Sequence, residues 1–286
     1  FINFKSLLLI TCLKELNQKI IVTFQGIDIQ KEKKINYGYR LNEKYEKLLK
    51  SSLSKIDIFL AISNNIIKDL KSLKVKSKKI IFFPNIIELE KFKKTNIKKN
   101  KKIIFITVGR YAEKKKGYDL VSKVAKELID KNLNFKWRLI GKNINSLREK
   151  LFIKKNIKYF DLIENIDNAK ETYFPNSKLI NLYKSSDIYL NLSRIESFGI
   201  TFIEALASKV PIISFDTKGA NEIVLENVNG IIIKNFKNET YVKKILYYCK
   251  NKKKLNLLKS KTLNSVKKYD LKISSNKIIG IIKSLY

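Results

Sequence analysis

The chain has 286 residues, enough for one large domain or two of ordinary size, and its 44% hydrophobic content is that of a globular protein. Lys and Arg total 60 against 26 Asp and Glu, a formal net charge of +34, and both histidine and methionine are absent. The missing imidazole excludes Ser-His-Asp and Cys-His catalysis, an HExxH zinc site and a histidine pH switch, so any chemistry must rest on carboxylates, lysines, arginines or backbone amides.

The opening FINFKSLLLI, without a methionine, leads us to expect a chain that begins inside a longer protein. Cys12 and Cys249 form no C-x-x-C pair, so neither a zinc knuckle nor a disulfide framework is expected, and a reduced, cytoplasmic setting follows. Apolar runs such as Leu7 to Cys12 fall far short of the roughly 20 residues that span a bilayer, and no secretory signal is read. The charge invites a nucleic-acid reading, because basic surfaces release counterions from phosphate backbones. Only five of the 60 basic residues are arginine, however, and the lysines are spread along the chain among Asn and Ile. No nucleic-acid partner is therefore expected; a solvated surface comes first and an anionic membrane surface second.

In chain order, the predicted strands are Lys19 to Phe24, Ile56 to Ile62, Lys79 to Phe83, Lys102 to Val108, Phe135 to Ile140, Ile157 to Phe160, Ile188 to Leu192, Val210 to Phe215 and Gly230 to Ile233. Between them, helical spacing is read over Glu43 to Leu53, Asn64 to Leu73, Tyr118 to Lys131, Lys178 to Lys184, Phe198 to Ser208 and Glu239 to Lys250, with a final helix over Leu271 to Leu285. Short apolar strands alternating with longer helices predict an α/β fold with parallel sheets covered on both faces. The lysine-dense stretch Glu88 to Asn100 reads as a linker, which divides the chain into 1–88, 89–270 and a terminal helix, 271–286.

Two segments carry candidate chemistry. In TVGRYAEKKKGYDL a strand ends at Gly109, and Arg110 with one of Lys114, Lys115 and Lys116 can converge on a polyanion above the strand's carboxyl edge, where open α/β sheets bind ligands. Spacing alone leaves an ordinary charged loop equally open, and the Walker pattern is not matched. In SRIESFGITFIEALASKVPIIS, Glu196 precedes a helix opened by Ser197, Phe198, Gly199 and Ile200, whose free amides suit phosphate or sugar oxygens. Glu204 lies about one and a half turns further on, in apolar company that demands a partner for it.

The stretch YKSSDIYLNLSRIESFGITFIEALASKVPIISFDTKGANEIVLENVNGIII resembles the nucleotide-sugar-binding segment of glycosyltransferase family 4, with its E-x(7)-E spacing, V-P strand, Gly219 to Glu222 turn and N-G strand. TVGRYAEKKKGYDL is similar to that family's GR-x(4 or 5)-KG element, and VTFQGIDIQ with the segment from Tyr37 to Ser63 resembles the later part of its N-terminal domain. The resemblance implies a GT-B architecture of two Rossmann-like domains, the N-terminal one incomplete. Residues 1–88 would form its acceptor-side portion, 89–270 the donor domain, and 271–286 a helix crossing back.

It also implies retaining transfer of a sugar from a nucleotide diphosphate to a glycan or lipid-linked acceptor in cell-surface polysaccharide or glycolipid synthesis. Arg110 and Lys116 would neutralise the diphosphate, with Lys115 as a rival; Glu196 would bind the donor sugar and Glu204 the ribose. Gly109, Ser197, Phe198, Gly199 and Ile200 would line the donor site, and Gln25, Gly26 and Asp28 the acceptor side. No cofactor or metal is expected, since no D-x-D pair occurs. The location implied is cytoplasmic, peripheral on the inner face of the plasma membrane. Two departures stand out: Gln25-Gly26 replaces the family's His-Gly, which makes a non-catalytic nucleotide-sugar-binding relative the alternative, and Pro84-Asn85-Ile86 replaces its P-N-G turn.

Overall fold

The computed structural model describes residues 2–93, 102–164, 166 and 175–285. The chain forms two compact units, Phe1–Ile86 with Lys272–Tyr286, and Ile87–Leu271. Part of the linker read at 88–100, residues 94–100, lies outside the described residues.

The first unit begins with α1 (Phe4–Glu15), capped by the Asn3 side chain, and continues through β1 (Ile21–Phe24), α2 (Glu43–Ser52), β2 (Ile58–Ala61), α3 (Asn64–Ser72) and β3 (Ile80–Phe82). Its three strands pair in parallel in the order β1-β2-β3. α2 and α3 start where Asn42 and Ser63 accept the amides of Tyr45 and Ile66, the side-chain caps that satisfy otherwise orphaned donors.

The second unit contains β4 (Ile103–Val108), α4 (Tyr118–Asp130), β5 (Phe135–Ile140), α5 (Leu151–Lys155), β6 (Phe160–Ile163), α6 (Ser177–Lys184), β7 (Ile188–Asn191), α7 (Ile200–Ala207), β8 (Ile212–Phe215), α8 (Lys218–Ile223), β9 (Gly230–Ile233), α9 (Asn238–Lys250) and α10 (Lys252–Val266). Its six parallel strands run β6-β5-β4-β7-β8-β9. β7 and β8 are buried at every position, as strands covered on both faces must be. The core gathers Phe105, Trp137, Leu190 and Phe215 from the sheet with Val124, Leu128, Tyr241 and Ile245 from α4 and α9. α11 (Leu271–Lys283) belongs to the first unit, where Ile281 packs on Ile58 and Leu60 of β2.

Several boundaries differ from those read in the sequence. The strand expected at Ile157 to Phe160 starts only at Phe160, because Ile157–Tyr159 makes one 3-10 turn after α5. The turn expected at Gly219 to Glu222 is the short helix α8, which Thr217 opens by accepting the amide of Ala220. Three further helices went unread, among them the short α5. α1 passed as a bare apolar run, and the lysines of α10 hid the i, i+3, i+4 series of Leu255, Leu258, Thr262 and Val266 that faces its core.

Candidate functional site

In the second unit the order in which strands are added reverses between β4 and β7, which themselves run parallel. β5 and β6 extend the sheet on one side, and β8 and β9 on the other. At such a switch point the loops leaving the two central strands diverge and open a crevice at their carboxyl ends. The loops here are 109–117, after β4, and 192–199, after β7.

Gly109 ends β4, its amide donating to Ile140 O and its carbonyl accepting the Tyr118 hydroxyl at 2.6 Å. A side chain at 109 would meet only ordinary contacts, so no close approach demands a glycine there. The demanding position is Gly117, with φ +70° and an ideal Cβ 2.0 Å from Leu192 O. Close backbone contact there presses the two loops together.

The two loops are also joined through charged side chains. Lys116 Nζ donates to Glu196 Oε2 at 2.6 Å, and both side chains are mostly buried. Arg194 forks onto both oxygens of Asp119, each at 2.7 Å, and onto Lys114 O at 2.6 Å, while its amide donates to Lys115 O at 3.0 Å. Burial pushes the Lys115 ammonium down to about 8, with Lys116 and Arg110 adding to the effect and Glu196 opposing it. Arg110 is exposed at the start of the loop. Lys115 is thus crowded by two cations against one carboxylate, a local excess of positive charge that suits a polyanion.

Past Glu196 the chain turns into α7. Ser197 and Phe198 are buried, and Phe198 meets Tyr269 edge-on with centroids 5.6 Å apart. Gly199, at φ +90°, takes the N-cap position, which leaves no side chain to cap α7, and Ile200 beyond it is exposed. The Phe202 amide turns back onto Gly199 O at 2.9 Å, and the cap supplies no side-chain acceptor for the amides before it. Gly219 closes the back of the site, its amide donating to Glu196 O at 2.6 Å.

Glu204 does not join this cluster directly. Only 1% exposed, it lies on the buried face of α7, and its Oε2 accepts the Tyr183 hydroxyl at 2.8 Å. Burial pushes its carboxyl up to about 7, and the Tyr183 bond opposes the rise. Among the described residues no other donor reaches Glu204.

In the first unit, Gln25 follows β1, and its Oε1 accepts Asn85 Nδ2 at 3.3 Å. Asp28, expected to face an acceptor, is instead fully buried. Its carboxylate accepts the amides of Gln25 at 3.0 and 3.1 Å, Gly26 at 2.9 Å and Ile2 at 3.3 Å, which leaves it holding the turn that presents Gln25 and Gly26. Burial raises its carboxyl above the ordinary value, against the pull of those amides. Among the described residues no group of three or more Cys, Asp and Glu is placed to hold a metal ion.

Sequence reasoning missed Tyr183, Arg194, Asp119 and Asn85. Tyr183 could have been suspected from its place in the apolar stripe of α6, where a phenol needs a polar partner. The Arg194–Asp119 pair spans 75 positions and becomes visible only once β4 and β7 are neighbours.

The sequence profile described as Glycosyl transferases group 1 matches residues 88–264, well over half of the chain. The chain belongs to this family. Among curated relatives of this group 1 chain, an uncharacterized 41.2 kDa protein in the cps region of Klebsiella pneumoniae is 28% identical over 161 residues, 56% of this chain and 40% of that protein. Alpha-monoglucosyldiacylglycerol synthase of Acholeplasma laidlawii is 29% identical over 173 residues, 60% of this chain and 41% of the synthase. The match thus spans about two-fifths of each curated relative. Anabaena HepE, solved in complex with UDP, superposes with a TM-score of 0.78 at 12% identity, covering 98% of this chain and 76% of HepE. The group 1 chain accordingly has the GT-B fold, with one parallel Rossmann-like sheet in each unit. No helix among the described residues is long and apolar enough to cross a membrane.

Proposed function

We propose that the parent protein is a retaining glycosyltransferase that moves a hexosyl group from a nucleotide-diphosphate sugar to a glycan or lipid-linked acceptor. The observation that carries this reading is the Lys116–Glu196 pair at the β4/β7 switch point, flanked by Arg110 and Lys115, in a group 1 chain. The arriving diphosphate would take Lys116 from Glu196 and complete its charge balance with Arg110. Glu196, so released, accepts hydroxyl hydrogen bonds from the donor sugar. The amides at Phe198, Gly199 and Ile200 receive phosphate or sugar oxygens, and Glu204 with Tyr183 backs the ribose end of the site.

As the bond between the sugar carbon and the phosphate oxygen breaks, negative charge grows on the diphosphate, where Arg110 and Lys116 are aimed. The acceptor oxygen bonds to the same face of the sugar carbon, and its proton passes to the leaving phosphate. On this route no protein base, cofactor or metal is needed, which accords with a chain that lacks histidine. Gln25 and Gly26 would lie on the acceptor side, positioned by Asp28. Relatives bear on the acceptor class: one acts in diacylglycerol glycolipid synthesis by its name, and another is a poly(ribitol-phosphate) alpha-N-acetylglucosaminyltransferase. With its charge of +34, the chain would sit peripherally on the anionic inner face of the plasma membrane, where each Lys or Arg near the surface gains about 1 kcal/mol.

Calorimetric titration with UDP, GDP and their sugar conjugates tests the reading. One nucleotide series should bind, and Lys116→Ala should weaken it by roughly 10- to 100-fold, the loss of a charge-assisted hydrogen bond. A folded chain that binds none of them refutes the donor site. The second reading, a nucleotide-sugar binder without transfer, rests on Gln25 in place of an imidazole; binding without turnover in the full-length protein would favour it.

A further inference from the structure

Arg194 has no part in the donor chemistry set out above, yet its side chain makes the most extensive polar contacts in the site. Its guanidinium fork spans both Asp119 oxygens and Lys114 O, its amide holds Lys115 O, and two residues later Glu196 meets Lys116. One short stretch of the β7 loop therefore grips three consecutive lysines of the β4 loop. Those lysines and Arg110 repel one another, so an untethered loop would spread them apart. Burial pushes the Lys115 ammonium down, and Lys116 and Arg110 push it further in the same direction.

Asp119 sits in the first turn of α4, where a carboxylate also favours the helix end. The ion pair remains partly exposed, 28% for Arg194 and 31% for Asp119, so it contributes little to stability. Its fixed bidentate geometry defines the position of the loop, which a lysine could not reproduce.

We propose that Arg194, paired with Asp119, is a positioning residue that holds the 110–116 loop over the switch point so that Arg110 and Lys116 meet the donor diphosphate together. The proposal rests on the donor reading above. Arg194 does not touch the nucleotide; it sets where its neighbours stand. Lys115, faced by Lys116, Arg110 and Glu196, stays partly desolvated only while the loop is held down.

The experiment compares wild type, Arg194→Ala, Arg194→Lys, Asp119→Asn and the Arg194→Ala/Asp119→Asn double variant. Titrations with UDP and GDP at pH 7 and pH 9 give affinities, and emission of Trp137, the chain's single tryptophan, verifies folding. Arg194→Ala should weaken the preferred nucleotide by about 10- to 100-fold, the usual cost of displacing a positioned group by about 1 Å. The double variant should lose no more than about a further 2-fold, because both substitutions release one clamp. Arg194→Lys should fall between. Wild-type affinity should drop from pH 7 to pH 9 as Lys115 loses its proton, and Arg194→Ala should flatten that drop by returning Lys115 toward its ordinary range.

A folded Arg194→Ala that binds within about 2-fold of wild type overturns the proposal. If Arg194→Ala does not fold, Asp119→Asn and Arg194→Lys carry the same comparison. Wild type binding neither nucleotide refutes the donor reading instead, and the clamp is then judged by amine acylation at pH 8. Lys115 labelling, read by peptide mass spectrometry, should fall in Arg194→Ala, and unchanged labelling overturns the clamp.

Discussion

Glu204→Gln isolates the energetic consequence of burying a carboxyl beneath the switch point. In the folded chain Glu204 titrates at about 7 against an ordinary 4.5. A carboxyl raised in this way binds its proton more tightly folded than unfolded, so stability is greatest below about 4.5, falls as pH rises toward 7 and levels off above. That interval, at roughly 1.4 kcal/mol per pH unit, amounts to about 3 kcal/mol lost by the wild type on going from pH 4 to pH 8. The amide introduced by the substitution has the same shape, can still accept the Tyr183 hydroxyl, and does not titrate. Glu204→Gln should therefore match the wild type near pH 4 and exceed it by about 3 kcal/mol at pH 8, a urea midpoint about 1 M higher for a domain of this size. Trp137 is buried in β5 of the same unit, so its emission follows the unfolding that matters. A midpoint difference that stays constant from pH 4 to pH 8 would refute the reasoning, since the remaining titrating groups cancel between the two proteins.

Glu196→Gln should separate the two tasks of that carboxylate. Bare UDP or GDP should bind up to about 5-fold more tightly because Lys116 is no longer held, whereas the sugar conjugate loses affinity; calorimetry with both ligands checks this, and parallel changes would contradict it. Gly117→Ala places a Cβ against Leu192 O in left-handed backbone and should destabilise the second unit by at least about 2 kcal/mol, read from Trp137 in urea; an unchanged midpoint would mean the loops do not touch there. Sedimentation with acidic liposomes should retain the chain at low ionic strength and release it as salt rises, and a failure to bind even at low salt would remove the membrane reading.

The parallel α/β organisation was legible because runs such as IIFITV and IYLN are apolar on consecutive positions, and a strand with two covered faces leaves few other interpretations. The helix α7 was legible from the same apolar density, although it was read from Phe198 and begins at Ile200, after the left-handed Gly199. The resemblance put Lys116 first and kept Lys115 as a rival; the path of the β7 loop is what sets Lys116 against Glu196. Asp28 was placed on the acceptor side by the resemblance alone. Its three backbone donors, one of them from Ile2, are a tertiary fact that the sequence does not display. The burial of Glu204 was half visible, since its apolar neighbours demanded a partner without naming Tyr183.

The second unit is continuous in the chain, but the first is assembled from two separated segments, Phe1–Ile86 and Lys272–Tyr286. During synthesis the 87–271 segment can collapse as soon as it leaves the ribosome, while the β2 face formed by Ile58 and Leu60 must wait for Ile281 to emerge. Until Ile281 emerges, that apolar surface stays open to chaperones or to a neighbouring nascent chain. A chain cut short before residue 272 would carry a complete second unit and an unfinished first one.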